Sequence, residues 1–249
     1  MEKLSVYLVV YNEEKRLEKT LSAAVRVADE LIVVDSGSTD GTVEIARRYK
    51  AKVYQNAWES YCAQKSFAEQ KCRYDWVLLL DADEVMSPEL IDEINKLKEK
   101  PQYNAYKVKI ADMFPRDKLP SRFARRFNPV RLYNRRYAFM PPDKMNKDRV
   151  EVQKGEAIGQ LTAEIYHYSF LSISQALDKY NRHSDELQKT LDKSGKKLSP
   201  VRLWIEYPWQ FCRYYFAHGY IFRGKDGLVY ASLLAWFRFL KVAKWFERH

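Results

Sequence analysis

Cysteine is scarce in this sequence. Cys62, Cys72 and Cys212 are its only three, they are scattered, and no two form a C-x-x-C pair. A disulfide framework and a cysteine zinc site are therefore not expected, and reduced thiols in a cytoplasmic protein are. Long apolar runs are missing as well. The opening MEKLSVYLVVYNEE holds only Leu4–Val10, with Ser5 and Tyr7 inside the run, which is too short for a signal peptide or a membrane span. No other stretch reaches the roughly 18 uncharged apolar residues of a membrane helix. There is no internal repeat and no low-complexity linker. Acid is in deficit, with 33 Asp and Glu against 43 Lys and Arg, a net charge of +10. That excess favours anionic partners or serves solubility alone. Nucleic acid is not expected, because no recognised binding motif accompanies the charge.

The 249 residues are 46% hydrophobic and 31% charged, which suits one large domain, or a domain with an appendage, around a real core. Apolar strand-like runs at 4–10, 30–35, 51–55 and 75–81 alternate with helical patterns at 13–27, 40–49, 61–72 and 87–100. The last helix opens with Ser87 at its N-cap and Pro88 at its first position. Continuous apolar strands separated by helices predict an α/β fold with a mostly parallel sheet covered on both faces. Ligands of such sheets sit beyond the carboxyl ends of the strands. Polar residues collect at those ends: Tyr11, Asn12 and Glu13 after the first strand, Asp35 to Asp40 after the second, Asp81 and Asp83 after the fourth. Residues 101–168 read as mixed or antiparallel structure. Helices are expected near 172–194, 200–222 and 226–246.

The stretch LLLDADE puts Asp81, Asp83 and Glu84 into four residues after an apolar run. On a strand, side chains two apart share a face, so Asp81 and Asp83 are expected to address one site while Ala82 faces away. Carboxylates in that arrangement suit Mg²⁺ or Mn²⁺ bridged to substrate phosphates. Asp83 and Glu84 also suit the approach to the helix at Ser87, where acidic residues are favoured.

Taken together, VVYNEE, VVDSGSTDGT, AQKSFA and DWVLLLDADE resemble, in order and spacing, the nucleotide-sugar half of family-2 glycosyltransferases of the GT-A type. They cover about the first 90 residues. The resemblance implies a GT-A (Rossmann-like) sheet domain over 1–170 and a helical, aromatic-rich extension over 171–249. It implies an inverting, metal-dependent transferase with a UDP-sugar donor. Tyr11, Asn12 and Glu13 then border the nucleoside, and Asp35 accepts from the base. Gln64 and Lys65 approach the base or diphosphate. Asp81 contacts ribose or metal, and Asp83 ligates Mg²⁺ or Mn²⁺. His167, in IYHYSF, is a second metal ligand by the same analogy, although a histidine between two tyrosines also suits a buried hydrogen-bonding role. Asp40 is expected to cap the element that follows it.

The rest of the chain resembles, more loosely, the bacterial subgroup that adds a sugar, often glucose, to the inner core of lipopolysaccharide. Relatives of that kind carry a His-Glu or similar acidic element where this chain reads PPDKMNKDRVEV (141–152). Asp148 is the preferred general base, with Asp143 and Glu151 behind it. Transfer to polyprenyl phosphate, a capsular or a protein glycan, and sugar-nucleotide binding without turnover, are the alternatives. A nucleotidyltransferase is disfavoured, because VVYNEE lacks a Gly-rich basic phosphate loop. Residues 121–136 hold six arginines, which suit an anionic acceptor such as lipopolysaccharide or another glycolipid. Residues 200–249 hold 15 of the 36 aromatics, with eight Lys and Arg against three Asp and Glu. Such helices suit the headgroup zone of an anionic inner membrane, contacted from the cytoplasmic face, or packing on each other, or a homodimer interface.

Overall fold

The computed structural model of the chain describes residues 1, 3–115, 117–142, 149–194 and 197–248, with side chains described there except at 182, 183 and 186–194. The described residues pack as two compact units. The first comprises Met1–Met113 and Arg126–Tyr168, and the second Phe114–Arg125 and Ser169–His249. The expected boundary at 170–171 leaves out the 114–125 segment, which packs with the helices.

The first unit is built on one sheet. Its strands are β1 (Leu4–Val10), β2 (Glu30–Asp35), β3 (Lys52–Gln55), β4 (Trp76–Asp81), β5 (Glu84–Met86), β6 (Ala105–Asp112), β7 (Arg126–Phe127), β8 (Val130–Asn134) and β11 (Ile158–His167). Separately, β9 (Ala138–Phe139) pairs antiparallel with β10 (Glu151–Val152). The sheet order is β3-β2-β1-β4-β8-β6-β11-β5, with β7 beside β6. The β1–β4 pairs are parallel, β8 runs antiparallel to both β4 and β6, and β11 runs parallel to β6. The carboxyl ends of β1, β2, β4, β6 and β11 therefore share one edge of the sheet, and the antiparallel β8 starts there. The short β5, absent from the sequence reading, pairs antiparallel with β11 and sets His167 opposite Glu84.

Alternate side chains of each strand feed two cores. Leu4, Val6, Leu8, Leu78 and Leu80 face α1 (Glu14–Ala24), α2 (Thr42–Arg48) and α4 (Pro88–Glu99), where Leu17, Leu21, Ile45, Leu90 and Ile94 cover them. Tyr7, Ile32, Val34, Val77 and Leu79 face the other way, toward Ala68 and Cys72 at α3 (Tyr61–Lys71). Apolar burial on both faces explains the continuous hydrophobic strands. Ser60 and Ser87 cap α3 and α4, each accepting a backbone N–H at 3.1 Å.

The second unit contains α5 (Ile173–Ser194), α6 (Val201–Cys212) and α7 (Gly224–Arg248). The expected helix over 200–222 is shorter in the structure. Past Cys212 a π-helical turn runs over Arg213–Ala217, and a 3₁₀ turn follows at Tyr220–Arg223. Pro208 removes one N–H inside α6. Gly219 then takes φ +67°, and a β-carbon there would meet the Phe123 ring at 2.6 Å. The core of this unit is aromatic. Phe114 stacks on Tyr230 with centroids 3.6 Å apart, and the Arg223 guanidinium lies 3.8 Å from the Phe114 centroid while pairing with Asp117. Among the described residues no helix is long and apolar enough to cross a membrane.

Leu78 is fully buried in the first core. Leu78→Ala should cost about 2–5 kcal/mol, read as a lowered midpoint in urea unfolding.

Candidate active site

The loops at the shared edge are tied to each other by side chains. Asn12 sits at φ +53°, a left-handed conformation that asparagine tolerates. Its Oδ1 accepts the Thr39 N–H at 2.8 Å, and its own N–H donates to Ser38 Oγ at 2.9 Å. Asp35 lies fully buried at the end of β2 and accepts from the N–H groups of Gly37 and Ser38 at 3.1 and 3.0 Å. Gly37 makes that turn possible at φ +94°. Asp40 accepts the Glu14 and Thr42 N–H groups at 3.2 and 3.1 Å. Above this bracing the Tyr11 ring is 53% exposed, an open aromatic face at the end of β1.

The acidic run is held from four elements. Strand β4 ends at Asp81, and Ala82 and Asp83 form a turn. Buried Thr20 on α1 donates to the Ala82 carbonyl at 2.8 Å, and Tyr168 N–H donates to the Asp83 carbonyl at 2.9 Å. The expected strand geometry, with both aspartates on one face, is therefore not what forms. The two carboxylates take different partners. Asp81 pairs with Lys65 of α3 at 2.7 Å and with Arg131 of β8 at 2.9 Å. Arg131 also bonds Glu84 at 2.5 Å, and Glu84 accepts the Asp81 N–H at 3.0 Å. Asp83 lies 3.5 Å from Arg16 of α1 and 3.4 Å from His167 Nε2. His167 Nδ1 is 2.8 Å from Asp112 at the end of β6. Arg16 is further clamped to Glu13, with Nε and Nη2 each 2.7 Å from a carboxylate oxygen, and donates to the Tyr168 carbonyl at 3.2 Å.

These pairings sort the charges. Burial would raise Asp81, but Lys65 and Arg131 outweigh it and hold its carboxyl well below the usual range. Burial pushes Glu84 up to about 7, with the Asp81 charge adding to the effect and Arg131 opposing it. Burial would lower His167, but its bonds to Asp112 and Asp83 and the charges of Asp83 and Glu84 raise it to about 10. These neighbours favour the protonated imidazole.

The sequence model of glycosyl transferase family 2 matches residues 5–153. The chain belongs to glycosyl transferase family 2. A Rickettsia felis protein described as a glycosyltransferase is 40% identical across 98% of this chain and 89% of its own length. Lipopolysaccharide core biosynthesis glycosyltransferase LpsC of Rhizobium meliloti is 28% identical across 99% and 93%. Among solved structures, S. aureus TarS 1-349 with UDP-GlcNAc superposes at a TM-score of 0.52, with 17% identity, over 92% of this chain and 79% of that one. The fold of the glycosyltransferase is accordingly of the GT-A type.

On this scaffold the residues named from the sequence have distinct surroundings. Asp81, Lys65, Asp83, His167 and Glu13 fall into the linked charge cluster. Gln64 does not present its amide as expected. It is fully buried, donating to the Asn56 and Ala57 carbonyls at 3.0 and 2.7 Å and accepting from Asn56 Nδ2 at 3.0 Å, so it holds the loop after β3. Asp35 likewise has its oxygens engaged by the 37–38 turn, and a base contact through it requires that turn to open. Asp148 and Asp143 lie outside the described residues, and Glu151 is exposed on β10. Four participants were missed: Arg16, Arg131, Asp112 and Glu84 as a buried partner. The signal for Arg131 and Arg16 was the uncompensated acid of DADE itself, but strand pairing had to say which cations answer it.

The metal expectation passes a chemical test. Asp83 offers an oxygen and His167 Nε2 a nitrogen 3.4 Å apart, and Asp112 fixes the ring from behind, as the outer partner of a histidine ligand does. The carboxylate suits Mg²⁺ or Mn²⁺ with further oxygens from substrate, and the imidazole nitrogen favours Mn²⁺ of the two. Among the described residues no group of three such side chains forms a complete cage.

Arg131→Met leaves the buried Glu84 without its cation, and the partly exposed Asp81 with Lys65 alone, and should cost about 3–5 kcal/mol, measured by denaturant unfolding. His167 predicts a pH signature. Its folded pKa of about 10 lies above the ordinary 6.5, so its contribution is complete below 6.5 and lost as pH rises through 10. In EDTA the unfolding temperature should fall across that window, and His167→Gln should flatten the fall.

Proposed function

We propose that the enzyme moves a sugar, with glucose the expected one, from a UDP-sugar to a lipopolysaccharide core acceptor, inverting the anomeric centre. The observation that carries the reading is the Asp83–His167–Asp112 chain beside the Lys65–Asp81–Arg131 cluster, at the sheet edge where parallel strands place ligands. The TarS complex with UDP-GlcNAc supports the donor class, and the name of the Rhizobium relative supports the acceptor class.

In this reading the exposed Tyr11 ring carries the uracil, and Asn12 keeps the two nucleoside loops in register. Lys65, held at Asp81, places positive charge for the diphosphate. Asp83 and His167 would hold Mg²⁺ or Mn²⁺. When bound, the cation offsets the charge that develops on the departing diphosphate. As a ligand His167 would need the neutral imidazole, with Nε2 free of its proton. The acceptor hydroxyl attacks the sugar C1 in line, opposite the leaving oxygen. A carboxylate takes its proton, and Asp148 is the assigned base.

Two variants test this with truncated lipopolysaccharide acceptors. Asp148→Asn should lower kcat about 10²–10⁴-fold while leaving the donor KM near its original value. Asp83→Asn should abolish the Mn²⁺-dependent thermal shift with UDP. An Asp83→Asn enzyme transferring at full rate in EDTA sinks the reading.

A further inference from the structure

The second unit carries an apolar face that its own core does not use. On α6, Val201, Trp204, Ile205 and Trp209 recur at helical spacing and are 59%, 83%, 53% and 67% exposed. Tyr207, on the flank of this stripe, lines a groove of about 830 Å³ with Leu228, Val229 and Trp236 of α7 and Leu177 of α5. Phe222, 74% exposed, stacks on the exposed Phe123 with centroids 5.2 Å apart. A chain with +10 to spare does not need bare tryptophans for solubility, and large apolar surfaces on a soluble protein mark a binding function.

The charges around the face indicate its partner. Arg213 and Lys225 are exposed, as are Arg122 and Arg125 beside Phe123. The acid of α6 is hidden: Glu206 is buried, paired with Arg202 at 2.7 Å and bonded by Gln210 at 3.1 Å. The surface therefore shows tryptophans with an excess of cations: against Arg122, Arg125, Arg213 and Lys225 stand the exposed Asp178 beside Leu177 and the half-buried Asp226 beside Lys225. Self-association through this face sets one cationic surface against its copy, which is unfavourable. An anionic bilayer offers the opposite charge, and its interface is where tryptophan and arginine are favoured together.

We infer that the α6 face, centred on Trp204 and Trp209, docks on an anionic lipid bilayer as a peripheral contact, with the adjoining groove receiving hydrocarbon. The contact lies parallel to the surface, since no described helix can span a bilayer. It depends on neither the donor nor the acceptor identity.

Co-sedimentation of the full chain with vesicles tests it. The protein should pellet with vesicles of phosphatidylcholine and phosphatidylglycerol, should remain in the supernatant with phosphatidylcholine alone, and should be released by high salt. Trp204→Ala with Trp209→Ala should weaken the vesicle partition about tenfold or more, as should Arg213→Glu with Lys225→Glu. Both are surface changes, so circular dichroism and Tm should stay at their original values and certify the fold. Equal pelleting of all three proteins, or equal pelleting with neutral and anionic vesicles, overturns the inference. So does a light-scattering mass showing an oligomer that the Trp204→Ala, Trp209→Ala protein loses, since the face then serves a second copy.

Discussion

Three carboxylates within four residues, one buried and two partly buried, cannot sit together at a sheet edge unless cations reach them, and that requirement organises the first unit. Asp81, Asp83 and Glu84 are answered by Lys65 from α3, Arg131 from β8, Arg16 from α1 and His167 from β11. Each of those elements must dock for the charges to close. The cluster is therefore both a consequence of the fold and a check on it. It also pushes the two carboxyls apart, with Lys65 and Arg131 holding Asp81 low and burial raising Glu84 to about 7.

Around this cluster the division of labour follows burial. The residues with no exposure, Asp35 and Gln64, give their polar atoms to loop backbone and make the loops rigid. The exposed Tyr11 and the partly exposed Asp81 and His167 keep open surface at the same edge, and on the proposed reading they meet ligand. Precise placement of a few open groups on a braced scaffold is what transfer between two bound substrates needs, because the reacting atoms must be held close and in line. Arg16 serves the same end: by joining Glu13, Asp83 and the Tyr168 carbonyl it ties the loop after β1 to the turn after β4 and to the end of β11.

The second unit is put together differently. Its core is a few stacked rings closed by the Arg223–Asp117 pair, not a two-faced sheet. With aromatics in such supply, some fill the interior and others, such as Trp204 and Phe222, remain outside. Composition alone does not tell these apart; the α6 register and the turn at Gly219 do.

Much of this was legible in the order of residues. Local periodicity marked the strands and helices of the first hundred residues to within a few positions, because apolar spacing and the Ser87 cap are near-neighbour effects. The polar strand ends followed from the same pattern, since parallel strands must point one way. What the chain order could not say was which distant residues meet there. The short β5, three residues long, pairs with β11 and brings His167 opposite Glu84, and β8 slots between β4 and β6 to deliver Arg131. Those contacts join residues dozens of positions apart, and they are fixed by sheet order, register and the cost of buried charge, none of which is a local property of sequence.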